Sequence, residues 1–167
     1  EKLGEKRLMP GDEVISVAAG FPATVTPIIQ NGLIPVFIDI DIPTYNINLN
    51  MLRNAISSKT RCVFIAHTLG NPFNISSVMQ LAEELNLWVI EDNCDSFGSV
   101  YKGRKTGSFG DLAAFSFYPT KNLGCLGDGG AIVTNNPEYH MKARMLRNYG
   151  SDYEAGRIKK HELTRAD

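Results

Sequence analysis

Short, continuous apolar runs alternate along the chain with segments whose apolar positions recur every three or four residues, the pattern of strands feeding helices. Gly11-Asp12 is a turn before the first strand, Glu13 to Ala18. Pro22 suits the first turn of a helix over Ala23 to Gln30, and Asn31-Gly32 stops it. A second strand, Ile34 to Ile40, carries Asp39 and Asp41 at its carboxyl end. Leu49, Leu52, Ala55 and Ile56 have helical spacing, and Cys62 to Ala66 is again a strand. Ser76 or Ser77 is expected to cap a helix bearing Val78, Leu81, Ala82 and Leu85, before a strand, Leu87 to Ile90, that ends in Glu91-Asp92. Two further strands, Ala113 to Phe117 and Ala131 to Thr134, flank a glycine-rich loop. A last helix, from Pro137 to about Arg147, carries Met141, Met145 and Leu146.

Strands that are apolar on both faces and alternate with helices predict an α/β fold in three layers, a mostly parallel sheet covered by helices on both faces. Ligands of such sheets sit beyond the carboxyl ends of the strands. The polar residues there are Phe21's loop, Asp39 and Asp41, His67, Asp92 and Asp95, and Ser116 with Lys121. No G-x-G-x-x-G follows the first strand and no Walker A sequence occurs, which disfavours a plain dinucleotide or P-loop domain.

The 167 residues have a formal charge of -1, which gives no reason to expect nucleic acid or an anionic membrane as partner. No apolar run reaches the roughly 20 residues of a membrane helix. Cys62, Cys94 and Cys125 are odd in number and widely spaced, so neither a disulfide framework nor a zinc pattern is read, and a reducing cytoplasm is expected. Both ends read as cut: the chain starts within a charged stretch without an initiator Met and stops in the charged run Arg157 to Asp167. The expectation is a piece of a larger protein.

Chemistry centres on Phe115-Ser116-Phe117-Tyr118-Pro119-Thr120-Lys121-Asn122 and the glycines that follow. A lysine between apolar strands and glycines is either an ordinary exposed loop residue or an amine with a task. Desolvation would lower its pKa and make it a nucleophile able to hold a carbonyl compound as an imine. Asp92 ends the neighbouring strand, where a carboxylate can hold a cation or a protonated ring nitrogen; on spacing alone it is equally a turn or helix-capping aspartate. Together the pair fits what pyridoxal phosphate (PLP) chemistry needs: a lysine for the imine and a carboxylate for the pyridine nitrogen.

The segments Ile90-Glu91-Asp92-Asn93-Cys94-Asp95-Ser96-Phe97-Gly98-Ser99, Gly103 to Asp111 and Phe115 to Asn122 closely resemble the DegT–StrS family of PLP-dependent nucleotide-sugar aminotransferases. Pro10 to Ile15 and Ile34 to Ile40 match it too, so the resemblance covers about residues 8–150 and implies an incomplete PLP-binding large domain, with 151–167 a truncated charged tail. By this resemblance Lys121 forms the internal aldimine, Asp92 pairs with the pyridine nitrogen, Ser116 contacts the phosphate and Phe21 stacks on the ring. Position 95, commonly glutamine near the ring hydroxyl in these aminotransferases, is Asp95 here. Phe21 also reads as a core aromatic and Ser116 as a strand-end hydroxyl. His67 falls in the loop near the substrate, although a histidine ending a strand is also a common structural hydrogen-bonder. His140 and His161 are assigned nothing.

Val17 to Pro22, Ile28 to Pro35 and Ala66 to Pro72 look most like the CDP-4-keto-6-deoxyglucose 3-dehydratases of lipopolysaccharide pathways, which use pyridoxamine phosphate (PMP) and an iron–sulfur cluster. Those enzymes carry histidine where this chain has Lys121. Cys94 matches their first cluster cysteine, but their Gly-Arg-Asp-Cys-x-Cys run is here Gly150-Ser151-Asp152-Tyr153-Glu154-Ala155. Tyr and Ala cannot replace thiolates, so the cluster is expected to be absent, no metal is assigned, and Cys94 is read as a small buried residue. The leading expectation is an aminotransferase making amino sugars for lipopolysaccharide, O-antigen or related glycans. The alternatives are the dehydratase and a catalytically inactive sugar-binding remnant. The resemblance further implies a nucleotide-sugar substrate, L-glutamate as amino donor and a homodimer. The family's upstream phosphate-binding helix and carboxyl-terminal small domain are read as absent, so these residues alone are expected to bind PLP weakly and to be inactive.

Overall fold

The computed structural model describes residues 6–150. In chain order the elements are β1 (Glu13–Val17), α1 (Pro22–Gln30), β2 (Ile34–Ile38), β3 (Ile40–Asp41), β4 (Asn46–Ile47), α2 (Leu49–Ala55), β5 (Thr60–Ala66), α3 (Ile75–Glu84), β6 (Trp88–Asp92), β7 (Val100–Tyr101), β8 (Arg104–Lys105), β9 (Leu112–Ser116), β10 (Gly130–Val133) and α4 (Pro137–Arg147). A six-stranded sheet has the order β10-β9-β6-β5-β1-β2. Five of its strands are parallel, and β10 runs antiparallel to β9. The expected long second strand breaks at Asp39, whose carboxylate accepts from the Ile40 N–H, and β3 pairs with β4 in a separate ribbon. A second ribbon, β7 with β8, lies within a stretch for which no strand was expected.

Alternation along the strands sends successive side chains to opposite faces. Ile15, Val63, Ile65 and Val89 bury one face against Leu52 of α2 and Ile75, Val78, Leu81 and Ala82 of α3. Val14, Cys62 and Trp88 bury the other against Ile28 of α1, with Tyr139 of α4 packed on Trp88 at 5.1 Å between ring centroids. The three expected layers are thus present. The cap of α3 is Asn74, whose side chain accepts from the Ser77 N–H, so neither Ser76 nor Ser77 is the cap; an amide oxygen one residue outside the helix reaches the orphan donor that a serine inside it cannot. Asn136 caps α4 in the same way, ahead of Pro137. Of the apolar residues that α4 carries, Met141 and Leu146 are exposed and Met145 is half-buried, and the helix buries none of its residues fully.

Glu91 and Asp92, the last two residues of β6, obey the same alternation and part to opposite faces. Glu91 is completely buried. One carboxylate oxygen accepts from the N–H groups of Phe109 (2.8 Å) and Gly110 (2.7 Å), the other from Gly107 N–H (2.7 Å) and His67 Nε2 (3.0 Å). The loop entering β9 is therefore folded around this carboxylate. Its glycines are required for that approach: Gly107 has φ +84°, and a Cβ at Gly110 would lie 2.6 Å from the Val89 carbonyl oxygen. Burial pushes the Glu91 carboxyl up, but the bonds from His67 and from the Gly110, Gly107 and Phe109 N–H groups outweigh it and hold it below the usual range.

A carboxyl held lower in the folded than in the unfolded chain contributes its full stability above about pH 4.3, and loses it as the pH falls through the folded value. Glu91→Gln is expected to cost about 3 kcal/mol at pH 7 because buried donors lose their acceptor. Urea unfolding checks this, and the gap between the two proteins should narrow as the pH drops below about 4.

Candidate active site

The site forms where the carboxyl ends of β1, β6 and β9 open. Asp92, only 8% exposed, is fixed from two directions: Thr24 Oγ1 of α1 donates to Oδ2 at 2.7 Å, and the Cys94 N–H donates to Oδ1 at 3.0 Å. Phe21 is the residue before α1, so Thr24 ties the Phe21 loop to the end of β6. The Phe21 ring is 70% exposed, which rules out the core reading and leaves a platform facing outward.

After β9 the chain turns at once. Lys121 N–H donates to the Tyr118 carbonyl at 2.9 Å, a tight turn with Pro119 at its second position, where a fixed φ is favourable. The glycine-rich loop then folds back on the strand end, with Cys125 N–H on the Phe117 carbonyl and Phe117 N–H on the Gly129 carbonyl. The turn aims the Lys121 side chain at the β6 end. Its Nζ donates to Asp95 Oδ1 at 2.7 Å and lies 5.7 Å from the centroid of the Phe21 ring, a cation–π contact. Phe21, Asp92, Asp95 and Lys121 are thereby brought together from three separate parts of the sequence.

The amine is not the depressed one that desolvation alone would produce. The Asp95 hydrogen bond pushes the Lys121 pKa up, burial opposes it, and the charges of Asp95 and Asp92 add to the rise. Lys121 is thus held as an ammonium near neutral pH. Cys94 is pushed up to about 12 by burial, its hydrogen bond with Asp92 and that carboxylate's charge, so it is a neutral thiol. Among the described residues no group of three His, Cys, Asp or Glu side chains could hold a metal ion. The cysteine-free run that follows Gly150 lies outside the described residues.

The other expected residues are placed as follows. Ser116 ends β9; its Oγ accepts from the Tyr118 N–H at 3.2 Å, which leaves its own proton for a ligand. His67 lies inside the fold and apart from the Lys121 cluster. It is fully buried, stacked on Phe73 at 4.3 Å, and donates from Nε2 to Glu91, because a carboxylate only accepts. Its Nδ1 is buried without a hydrogen-bond partner among the described residues. Asp39 and Asp41 bond locally to Ile40 N–H and Asn48 and stay outside the cluster. Thr24 was missed by sequence reasoning; its place on the buried face of α1, one turn before Ile28, was the available signal.

The model of the DegT/DnrJ/EryC1/StrS aminotransferase family matches residues 2–164, and the chain belongs to that family. It is 52% identical over 90% of its length to the lipopolysaccharide biosynthesis protein RfbH of Salmonella typhimurium, of which it covers 34%. It is 48% identical, again over 90% of its length, to the dTDP-4-dehydro-2,6-dideoxy-D-glucose 3-dehydratase of Saccharopolyspora spinosa, of which it covers 32%. The chain thus spans about a third of the curated relatives it matches. Among solved structures, S. venezuelae DesV in complex with a ketimine intermediate superposes with a TM-score of 0.85 at 38% identity, over 92% of this chain and 40% of that one. A GDP-4-keto-6-deoxymannose-3-dehydratase with a trapped PLP-glutamate geminal diamine superposes with a TM-score of 0.83 at 31% identity, over 88% and 38%. Both family and neighbours point to a PLP-type cofactor.

The residues present fit the ring end of that cofactor. A fixed carboxylate with lone pairs to spare, an open aromatic face and a lysine amine stand together, and Ser116 offers a hydroxyl one short turn away. The Thr24–Asp92 bond is expected to matter for the frame itself. Thr24→Val keeps the shape but removes the donor, and should lower unfolding free energy by about 1.5–3 kcal/mol, whereas Thr24→Ser should recover most of it in the same urea titration.

Proposed function

We propose that this chain is the lysine-bearing part of a PLP-dependent aminotransferase that delivers an amino group to a nucleotide-linked keto-deoxysugar, for lipopolysaccharide, O-antigen or related glycan biosynthesis. The observation that carries the reading is the convergence of Lys121 with Asp92 and Phe21 at the strand ends. When bound, PLP supplies an aldehyde that takes up amines and a ring that accepts their electrons.

The chain's own residues divide the remaining work. Asp92, oriented by Thr24 and the Cys94 N–H, would keep a proton on the ring nitrogen. Phe21 would stack against the ring and Ser116 would donate to the phosphate. Lys121 would hold the cofactor between turnovers and carry a proton on Nζ to and from the reacting carbon. L-Glutamate as donor, a second subunit completing the site and a cytoplasmic location belong to the same proposal. The exposed side chains of Phe21, Tyr118 and Leu126 and the three free cysteines are consistent with the last two. His67 takes no part in it.

A second reading, a PMP-dependent sugar 3-dehydratase of the same family, is favoured by two similar proteins: a relative at 48% identity and a solved structure at 31% identity both bear a 3-dehydratase name. Lys121 argues the other way, because the dehydratases that this chain resembles carry histidine there.

The deciding experiment incubates the full-length protein with PLP, L-glutamate and a panel of nucleotide keto-sugars, and reads products by mass spectrometry. An amino sugar is expected, and Lys121→Ala should lower its rate at least about a thousandfold. Stoichiometric iron and sulfide with a deoxygenated product would establish the dehydratase. Binding of the sugar nucleotide with no turnover would establish the inactive remnant.

A further inference from the structure

Lys121 has a partner that the position-by-position resemblance does not supply. The carboxylate of Asp95 takes the lysine amine at 2.7 Å. Asp95 is held from below by its own backbone: its carbonyl accepts from Asn122 Nδ2 at 3.4 Å, and it lies where Gly70 packs so closely that a Cβ there would meet the Asp95 carbonyl oxygen at 2.9 Å. The contact therefore joins two anchored segments, the loop after β6 and the turn after β9, rather than two free surface side chains. The groups that face the amine are Asp95, Asp92 and Cys94 from the end of β6, and the Phe21 ring from the loop before α1. The two carboxylates and the ring favour a positive charge on Nζ, the Cys94 thiol is neutral, and among them only Asp95 bonds to it directly.

We propose that Asp95 is a positioning residue that sets the protonation of Lys121, and with it the pH at which the lysine captures an aldehyde. This rests on the reading of Lys121 as the cofactor lysine. The balance is simple. Lys121 ammonium first gives its proton to solvent. The freed lone pair then forms a bond to the aldehyde carbon, the carbonyl oxygen leaves as water, and a C=N bond remains. Only the neutral amine enters, so a partner that stabilises the ammonium delays capture. A glutamine or asparagine at position 95 could still accept from the amine but would withdraw the charge. The upward push on the Lys121 pKa from Asp95 agrees with this assignment.

The test uses the full-length protein, its Asp95→Asn variant and Asp95→Glu as the conservative control, with two readouts. The first is the Lys121 titration followed by NMR of 13C-methylated lysines, assigned with Lys121→Arg, in protein freed of cofactor. The second is the pH profile of PLP capture, followed by its visible absorbance. Asp95→Asn is expected to move both midpoints to lower pH by about one unit, which makes capture about tenfold faster below the midpoint. Asp95→Glu should restore the parental profile. If Asp95→Asn weakens PLP binding while both midpoints stay, Asp95 is only structural and the proposal is overturned. If the NMR midpoint shifts but no PLP is captured by any of the proteins, Asp95 sets the amine's charge as proposed, and the cofactor reading of Lys121 falls instead.

Discussion

The buried carboxylate of Glu91 is the constraint on which the site depends. It ends a central strand and accepts from three backbone N–H groups and one imidazole, so the loop before β9 has a single way to fold. A charge removed from water is tolerated only with this degree of satisfaction. The consequence reaches further than the loop, because the loop sets where β9 begins, β9 sets where the chain turns, and the turn sets where Lys121 points. Asp92, the next residue, is delivered to the opposite face by the strand's alternation, toward α1 and the lysine. Two adjacent acids thus have different surroundings: Glu91 fixes the loop before β9, and Asp92 is held by Thr24 and the Cys94 N–H on the opposite face.

The electrostatics of the cluster follow from its composition. Lys121 is flanked by carboxylates and an aromatic face and is partly exposed, so attraction outweighs the desolvation that would free its lone pair. A lysine poised by burial alone would sit in an apolar pocket; this one sits in a salt bridge. In the proposed reaction the amine must give up its proton before it bonds to carbon, and the neighbouring carboxylates determine how readily it does so. The high Cys94 pKa belongs to the same field, since a thiolate beside Asp92 would face a like charge.

Much of the fold was legible because buried parallel strands are written as plain apolar runs, and Pro and Gly mark the ends of their helices. The small ribbons β3–β4 and β7–β8 were not, since two-residue pairings leave no periodicity to read. Nor was the exposure of α4: Met141 and Met145 have helical spacing, but spacing does not say what lies opposite, and Met141 is exposed. At the site, Lys121, Asp92 and Phe21 were found as strand-end residues and drawn together by the fold. Thr24 and Glu91 were not found, because a threonine in a helix and an acid at a strand end look ordinary until their partners, far away in sequence, are known. For His67 both a substrate-side and a structural reading stood open for a related reason. Whether His67 ends a strand facing out or in depends on the acid across the sheet, and Glu91 draws it inward.

The central claim is that Lys121 is the group through which this protein holds a carbonyl cofactor. The most direct measurement treats the full-length protein, loaded with PLP, with borohydride and maps the modified peptide by mass spectrometry. The account predicts one stable pyridoxyl adduct, on Lys121, and none after Asp92→Ala under conditions where the protein remains folded but its hold on the ring is lost. An adduct spread over several surface lysines, or a stoichiometric one on any lysine other than Lys121, would contradict it.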